Sequence, residues 1–132
     1  MRRAREIGAA GAIVFPNSVP RWQVVDLMRA CDIAVVPSRN EPFGIVVLEA
    51  WAAGKPVVAT LAGGPQEFVR HDVNGFLVDA NPGGLAHGIG SLLANQDHCR
   101  SLGADGRRAV EEKFNWNNVA AYTEGVYQVA LR

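Results

Sequence analysis

Residues 41–60 read Glu41-Pro-Phe-Gly-Ile-Val-Val-Leu-Glu-Ala-Trp-Ala-Ala-Gly-Lys-Pro-Val-Val-Ala-Thr60. Two elements are legible in that stretch. Gly44–Ala53 reads as a helix that stops at Gly54, a residue suited to the left-handed cap that ends helices. Pro56–Thr60 is an apolar run rich in valine, the pattern of a strand buried on both faces. Just upstream, Asp32–Pro37 (Asp-Ile-Ala-Val-Val-Pro) reads as a second strand of the same kind. Strand, helix, strand in that order implies parallel pairing through a right-handed crossover.

Working outward, the alternation continues. On the C-terminal side, Gly63-Gly64-Pro65 opens a short helix through Val69, and Gly75–Val78 is a short strand. Gly84–Ala94 and His98–Lys113 are helices, and Asn115 is placed to N-cap a last helix from Trp116 to about Ala130. On the N-terminal side, Pro20 opens a helix to Ala30 whose expected buried face is Val24, Val25, Leu27 and Met28. Ala12–Phe15 reads as a short strand closed by Pro16-Asn17, and residues 2–10 as the tail of a helix ended by Gly11. The expected fold is α/β: a Rossmann-like open parallel sheet flanked by helices, in one domain. In such sheets ligands bind where loops leave the carboxyl ends of the strands. Loops 16–20, 38–43 and 61–65 are therefore the places to look for chemistry.

Composition removes several classes. Lys+Arg and Asp+Glu number 13 each, so there is no cationic surplus for a nucleic-acid partner or an anionic membrane. No apolar run approaches the length of a membrane span. The start, Met1-Arg2-Arg3 followed by Ala9–Phe15, loosely mimics a signal peptide, but Glu6 interrupts it and no small-x-small site precedes Pro16. Cys31 and Cys99 then read as reduced small hydrophobes, which suits a cytoplasmic location. His71, His87 and His98 share no metal-ligand spacing, and with no Cys/His cluster either the sequence offers no zinc site.

Glu49 is the one charge in an otherwise apolar helix, which reads as buried all round. A buried carboxylate costs several kcal/mol unless donors or a cation meet it. Positions i±3 and i±4 are Ile45, Val46, Ala52 and Ala53, so its partners must come from elsewhere. A sugar's vicinal hydroxyl pair fits. So do backbone N–H groups or a distant arginine. Glu41, taken alone, is an ordinary loop acid near a helix N-terminus. Gly44 lets a ligand approach the first free N–H groups of the helix, where an anion such as phosphate is favoured; a turn requirement is compatible with that role.

Glu41-Pro-Phe-Gly-Ile-Val-Val-Leu-Glu49 resembles the E-x7-E motif of glycosyltransferase family 4, the glycosyl transferases group 1. Glu49-Ala-Trp-Ala-Ala-Gly-Lys-Pro-Val-Val-Ala-Thr60 is similar to that family's E-A-x-A-x-G-x-P-V-V-A-[ST] run. Gly63-Gly64-Pro-Gln-Glu67 resembles G-G-x-x-E, Asn74-Gly-Phe-Leu-Val78 resembles N-G-x-L-V, and Phe114-Asn-Trp116 resembles F-[ST]-W. The five segments run in order and, with their elements, cover residues 12–130.

The resemblance implies a GT-B fold, of which this chain is the C-terminal, donor-binding domain. It implies retaining, metal-independent transfer of a glycosyl unit from a nucleoside-diphosphate sugar. Glu49 would hold the donor ribose hydroxyls and Glu41 the transferred sugar. Phe43, Gly44 and Ile45 would face the sugar and diphosphate. Asn17, Ser18 and Val19 would border the base, and Gly63 and Gly64 would line the cleft rim. A glycan, lipid or small-molecule acceptor would sit on an N-terminal domain that these residues do not contain.

The chain departs from the family in one respect. The expected G-R-x(n)-K-G segment and the first two strands of the domain have no counterpart here, and neither Arg39 nor Arg70 is a substitute. In the family strand order 3-2-1-4-5-6, both 12–15 and 32–37 then lack a neighbour. The expected results are self-association through open sheet edges, or direct pairing of 12–15 with 32–37. The stripe Val119, Tyr122, Val126, Val129 either packs on its own domain or is an exposed surface. Trp51 is expected in the core, Trp22 in surface packing, and 107–113 as a solvated helical face. Two other readings stand beside transfer: a non-catalytic nucleotide-sugar-binding or interaction module, and another GT-B enzyme such as an epimerase, against which the Glu41/Glu49 pair argues.

Overall fold

Three parallel strands carry the molecule, and β2 lies between the other two. The computed structural model describes residues 2–131. The strands are β1 (Ala34–Val36), β2 (Val57–Thr60) and β3 (Phe76–Val78), in the order β1-β2-β3. Val35 pairs with Val58, and Ala59 with Leu77. The helices are α1 (Arg2–Glu6), α2 (Arg21–Ala30), α3 (Ile45–Ala52), α4 (Pro82–Ala94), α5 (Gln96–Lys113) and α6 (Trp116–Ala130), with single 3-10 turns at Ala10–Ala12 and Gly64–Glu67.

Every residue of β2 is buried, because both faces of the central strand are covered. Val57 and Ala59 face a cluster with Val47, Ala50 and Trp51 of α3. Val58 faces the other side, with Leu92 of α4 and Leu102 of α5. Strand β1 is less covered than its composition predicts: Ala34 and Val36 are buried, but Val35 is 37% exposed. The exposure of Val35 means that the expectation of burial on both faces fails at this edge.

Side-chain caps set several boundaries. Asn81 Oδ1 accepts from Gly84 N–H at 2.8 Å, and Pro82 takes the first turn of α4, two residues before the expected start. Asn95 Oδ1 accepts from His98 N–H, which starts α5 at Gln96. Asn115 caps α6 as the sequence predicts, accepting from Asn118 N–H at 2.9 Å.

Other expectations are corrected or decided. Residues 12–15 form no strand, and Val14 is 86% exposed. A short extended segment persists only when a neighbour takes its backbone hydrogen bonds, and 12–15 pairs with nothing among the described residues. It does not pair directly with 32–37 either, so β1 keeps a free outer edge. Helix α2 buries no residue: Val24, Val25 and Leu27 are each more than a third exposed, and Met28 alone reaches the core. Helix α3 is not buried all round: Val47, Ala50 and Trp51 face inward, while Ile45 and Val46 are exposed. Helix α6 buries nothing, so its stripe of Val119, Tyr122, Val126 and Val129 is an exposed face. No helix among the described residues is long and apolar enough to cross a membrane.

Trp51 fixes α3 on the sheet. It is fully buried, edge-on to Phe68 with ring centroids 5.6 Å apart, and Phe68 meets Phe114 at 5.4 Å. Helix α5 approaches so closely at Gly106 that a Cβ there would overlap the Trp51 indole. A methyl at Gly106 must therefore displace the largest side chain of the core. Gly106→Ala is expected to lower stability by about 1–3 kcal/mol through overpacking. Gly90→Ala in α4, where a Cβ meets open space, is expected to raise it by about 0.5–1 kcal/mol. Urea denaturation of the two variants checks this, and equal effects would contradict the packing described.

Candidate functional site

All three strands run the same way, so the loops leaving β1 and β2 emerge at one end of the sheet. Loop 37–44 leaves β1 and loop 61–63 leaves β2, and backbone hydrogen bonds join them. Glu41 N–H donates to Ala62 O at 2.8 Å, and Gly64 N–H donates to Glu41 O at 2.8 Å. Gly63 adopts φ 115° beside Glu41, and a Cβ on either glycine would collide with the backbone of loop 41–43. Gly63 and Gly64 therefore serve this loop contact. Gly63 is exposed and Gly64 buried.

The contact places Glu41 at the start of α3. Its carboxylate is held on both oxygens: Oε1 accepts from Gly44 N–H at 3.0 Å, and Oε2 accepts from Ser38 Oγ at 3.1 Å. Thr60, buried at the end of β2, donates its hydroxyl to Ser38 O at 2.5 Å. Gly44 is the N-cap, with φ 100° and ψ 42°. A Cβ there would also meet the Pro65 ring at 2.9 Å, so the turn requirement is a structural fact. The helix closes with Val47 N–H donating to Gly44 O, which leaves the N–H groups of Ile45 and Val46 without intrahelical partners. Phe43, half exposed, stands against Phe68 at 5.6 Å.

Glu49 follows Ile45 by one turn, on the same stripe of α3, and its side chain is 36% exposed. Arg21 Nη2 donates to Glu49 Oε1 at 3.2 Å, so a distant arginine does meet this carboxylate. The Arg21 side chain is 85% exposed, and such a pair is worth no more than about 1 kcal/mol. Oε2 of Glu49 has no protein donor among the described residues. Glu49, Val19, Arg21, Val24 and Met28 line one cleft of about 530 Å³ between α2 and α3. Ser18, beside Val19, is exposed.

The fold thus gathers Glu41, Phe43, Gly44, Ile45 and Glu49 on and before α3, joins Gly63 and Gly64 to them, and faces Val19 toward Glu49. Sequence reasoning missed Ser38, Thr60 and Arg21. Ser38 had a signal, since Ser-x-x-Glu before an apolar run is the spacing of a capping pair. Arg21 had none, being 28 residues from its partner. The two cysteines lie outside the site as free thiols. Burial, then the nearby Asp32 carboxylate, pushes the Cys99 thiol up. No three Asp, Glu, His or Cys side chains cluster as metal ligands among the described residues.

Comparison with known proteins gives a consistent result. The family described as "Glycosyl transferases group 1" matches residues 2–109. The D-inositol 3-phosphate glycosyltransferase of Xylanimonas cellulosilytica is 41% identical over 130 residues, covering 98% of this chain and 31% of that protein. Sucrose-phosphate synthase from Thermosynechococcus elongatus superposes with a TM-score of 0.90 at 32% identity, over 98% of this chain and 33% of the other. HepE from Anabaena, solved in complex with UDP-glucose, superposes with a TM-score of 0.85 at 28% identity, over 99% of this chain and 35% of the other. The chain spans about a third of the length of each.

Proposed function

The chain belongs to the glycosyl transferases group 1 family and has the GT-B type of α/β sheet, and we propose that it is the donor-binding half of a retaining family 4 glycosyltransferase. In this reading the acceptor domain, the first strands of this domain and the basic residues that meet the diphosphate lie in the rest of a longer protein. The acceptor, a glycan, lipid or small molecule, binds there, and the isolated chain transfers little or nothing. One observation carries the reading: Glu41 is held at the first turn of α3, and Glu49 lies one turn further along, facing the cleft that Val19 borders.

The proposed chemistry follows from that arrangement. Glu49 accepts from the two ribose hydroxyls. The diphosphate lies at the free N–H groups of Ile45 and Val46, whose partial positive charge favours an anion. Glu41 accepts from hydroxyls of the sugar being transferred, as a contact and not as a nucleophile. The bond from the anomeric carbon to the diphosphate breaks, the acceptor oxygen bonds to the same face of that carbon, and the acceptor's proton passes to the departing diphosphate. Fixed donors stabilise the charge of the leaving group, so the proposal includes no metal ion or cofactor. A cytoplasmic setting and the lack of a nucleic-acid partner belong to the same proposal. HepE, solved with UDP-glucose, makes UDP the first nucleotide to test.

Calorimetric titration with UDP, GDP and ADP tests the reading. One nucleotide is expected to bind, and Glu49→Ala is expected to weaken it at least tenfold, as loss of hydrogen bonds to a charged group predicts. Unchanged affinity in the variant would make Glu49 a structural partner of Arg21 only. Absence of binding by the parent chain would contradict the donor-binding reading.

The exposed apolar face of α6 and the free edge of β1 favour an added proposal, self-association of the isolated chain. Light scattering is expected to give a dimer that Tyr122→Glu together with Val126→Glu dissociates. A monomer at all concentrations would refute it.

A further inference from the structure

We infer that Ser38 and Thr60 are positioning residues for Glu41, and that they decide how well the site holds the sugar of the donor as distinct from its nucleotide. The inference rests on the reading that Glu41 contacts the donor sugar. Glu41 and Glu49 are held in opposite ways. Glu49 has one exposed arginine on one oxygen. Glu41 is half-buried and gripped on both oxygens, by Gly44 N–H at 3.0 Å and by Ser38 Oγ at 3.1 Å. Ser38 in turn is tied to the sheet, because Thr60 donates to its carbonyl at 2.5 Å. Thr60 is only 3% exposed and sits in β2, the strand covered on both faces. Two hydrogen bonds, linked through Ser38, therefore connect the fully buried strand to one carboxylate in the site.

The path has a chemical consequence. Each carboxylate oxygen can accept more than one hydrogen bond. With Ser38 and Gly44 each using one, the remaining lone pairs point in directions fixed by the loop, ready for hydroxyl donors. Remove the Ser38 hydroxyl, and Gly44 N–H alone holds the carboxylate, which then turns about its last torsion. Binding gained from a preorganised acceptor falls when that acceptor must be ordered by the ligand. Groups that the reading assigns to the nucleotide, Glu49 and the first N–H groups of α3, make no hydrogen bond to Ser38.

The test compares UDP with UDP-glucose, GDP with GDP-mannose, or ADP with ADP-glucose, using whichever nucleotide the chain binds. Ser38→Ala is expected to weaken the nucleotide sugar by about three- to tenfold, the range of one hydrogen bond, while the bare diphosphate stays within about twofold. Ser38→Thr keeps the hydroxyl and is expected to restore binding. Ser38→Ala is expected to add nothing in a Glu41→Ala background, since it acts through Glu41. Thr60→Ser keeps the donor and is expected to behave as the parent, and Thr60→Val as Ser38→Ala, with thermal melts confirming that both are folded. If Glu41→Ala lowers the sugar contribution but Ser38→Ala does not, the inference is overturned and the reading of Glu41 stands. If Glu41→Ala leaves that contribution unchanged, or the parent chain binds no nucleotide, reading and inference fall together.

Discussion

The two backbone hydrogen bonds that lace Glu41 to Ala62 and Gly64 are the constraint on which the site depends. They join the loop after β1 to the loop after β2 and fix the backbone from which the Glu41 carboxylate projects. Side chains cannot intrude at this contact, which is why Gly63 and Gly64 stand there. Gly44 answers to the same crowding, against Pro65. Gly44, read from the sequence as giving a ligand access, and Gly63 and Gly64, placed by the resemblance on the cleft rim, are thus first explained by the chain's approach to itself. The two roles are compatible, because loops pressed together leave their outer rim fixed in space.

The rest of the core orients that rim. Trp51 is locked between α5 and the sheet by the absence of a Cβ at Gly106 and by Phe68 beside it. With Trp51 inward, Val47 and Ala50 are inward too, and Ile45 and Glu49 fall on the opposite stripe. The direction in which Glu49 points is therefore set by packing on the far side of its own helix. Its link to Arg21 is light and exposed, so a ligand can compete for that carboxylate at small cost.

Much of this was legible before any coordinates. The valine-rich run at 56–60 identified the central strand, and Asn115 identified the start of α6, because each signal acts locally. The failures share one feature: the residues concerned have an apolar pattern but no neighbour that covers them among the described residues. Residues 12–15 have strand composition but no strand beside them. The valines of α2 have a core pattern but nothing to cover. The apolar α3 suggested complete burial, yet Ile45 and Val46 face solvent at the site. Of the residues gathered around α3, Glu41 and Glu49 were singled out by their motif, whereas Ser38 was missed despite its spacing to Glu41. Arg21 was not visible, because an ion pair formed across 28 residues leaves no local trace.

The central claim is that a nucleotide sugar lies across the first turn of α3, between Glu41 and Glu49. Amide chemical-shift mapping of the 15N-labelled chain during titration with UDP-glucose tests it most directly. The account predicts the largest shifts at Ile45 and Val46, with Glu41 and Glu49 moving in the same saturable step. Largest shifts at the other end of the strands, around Asp32, Lys55 and Cys99, would contradict it.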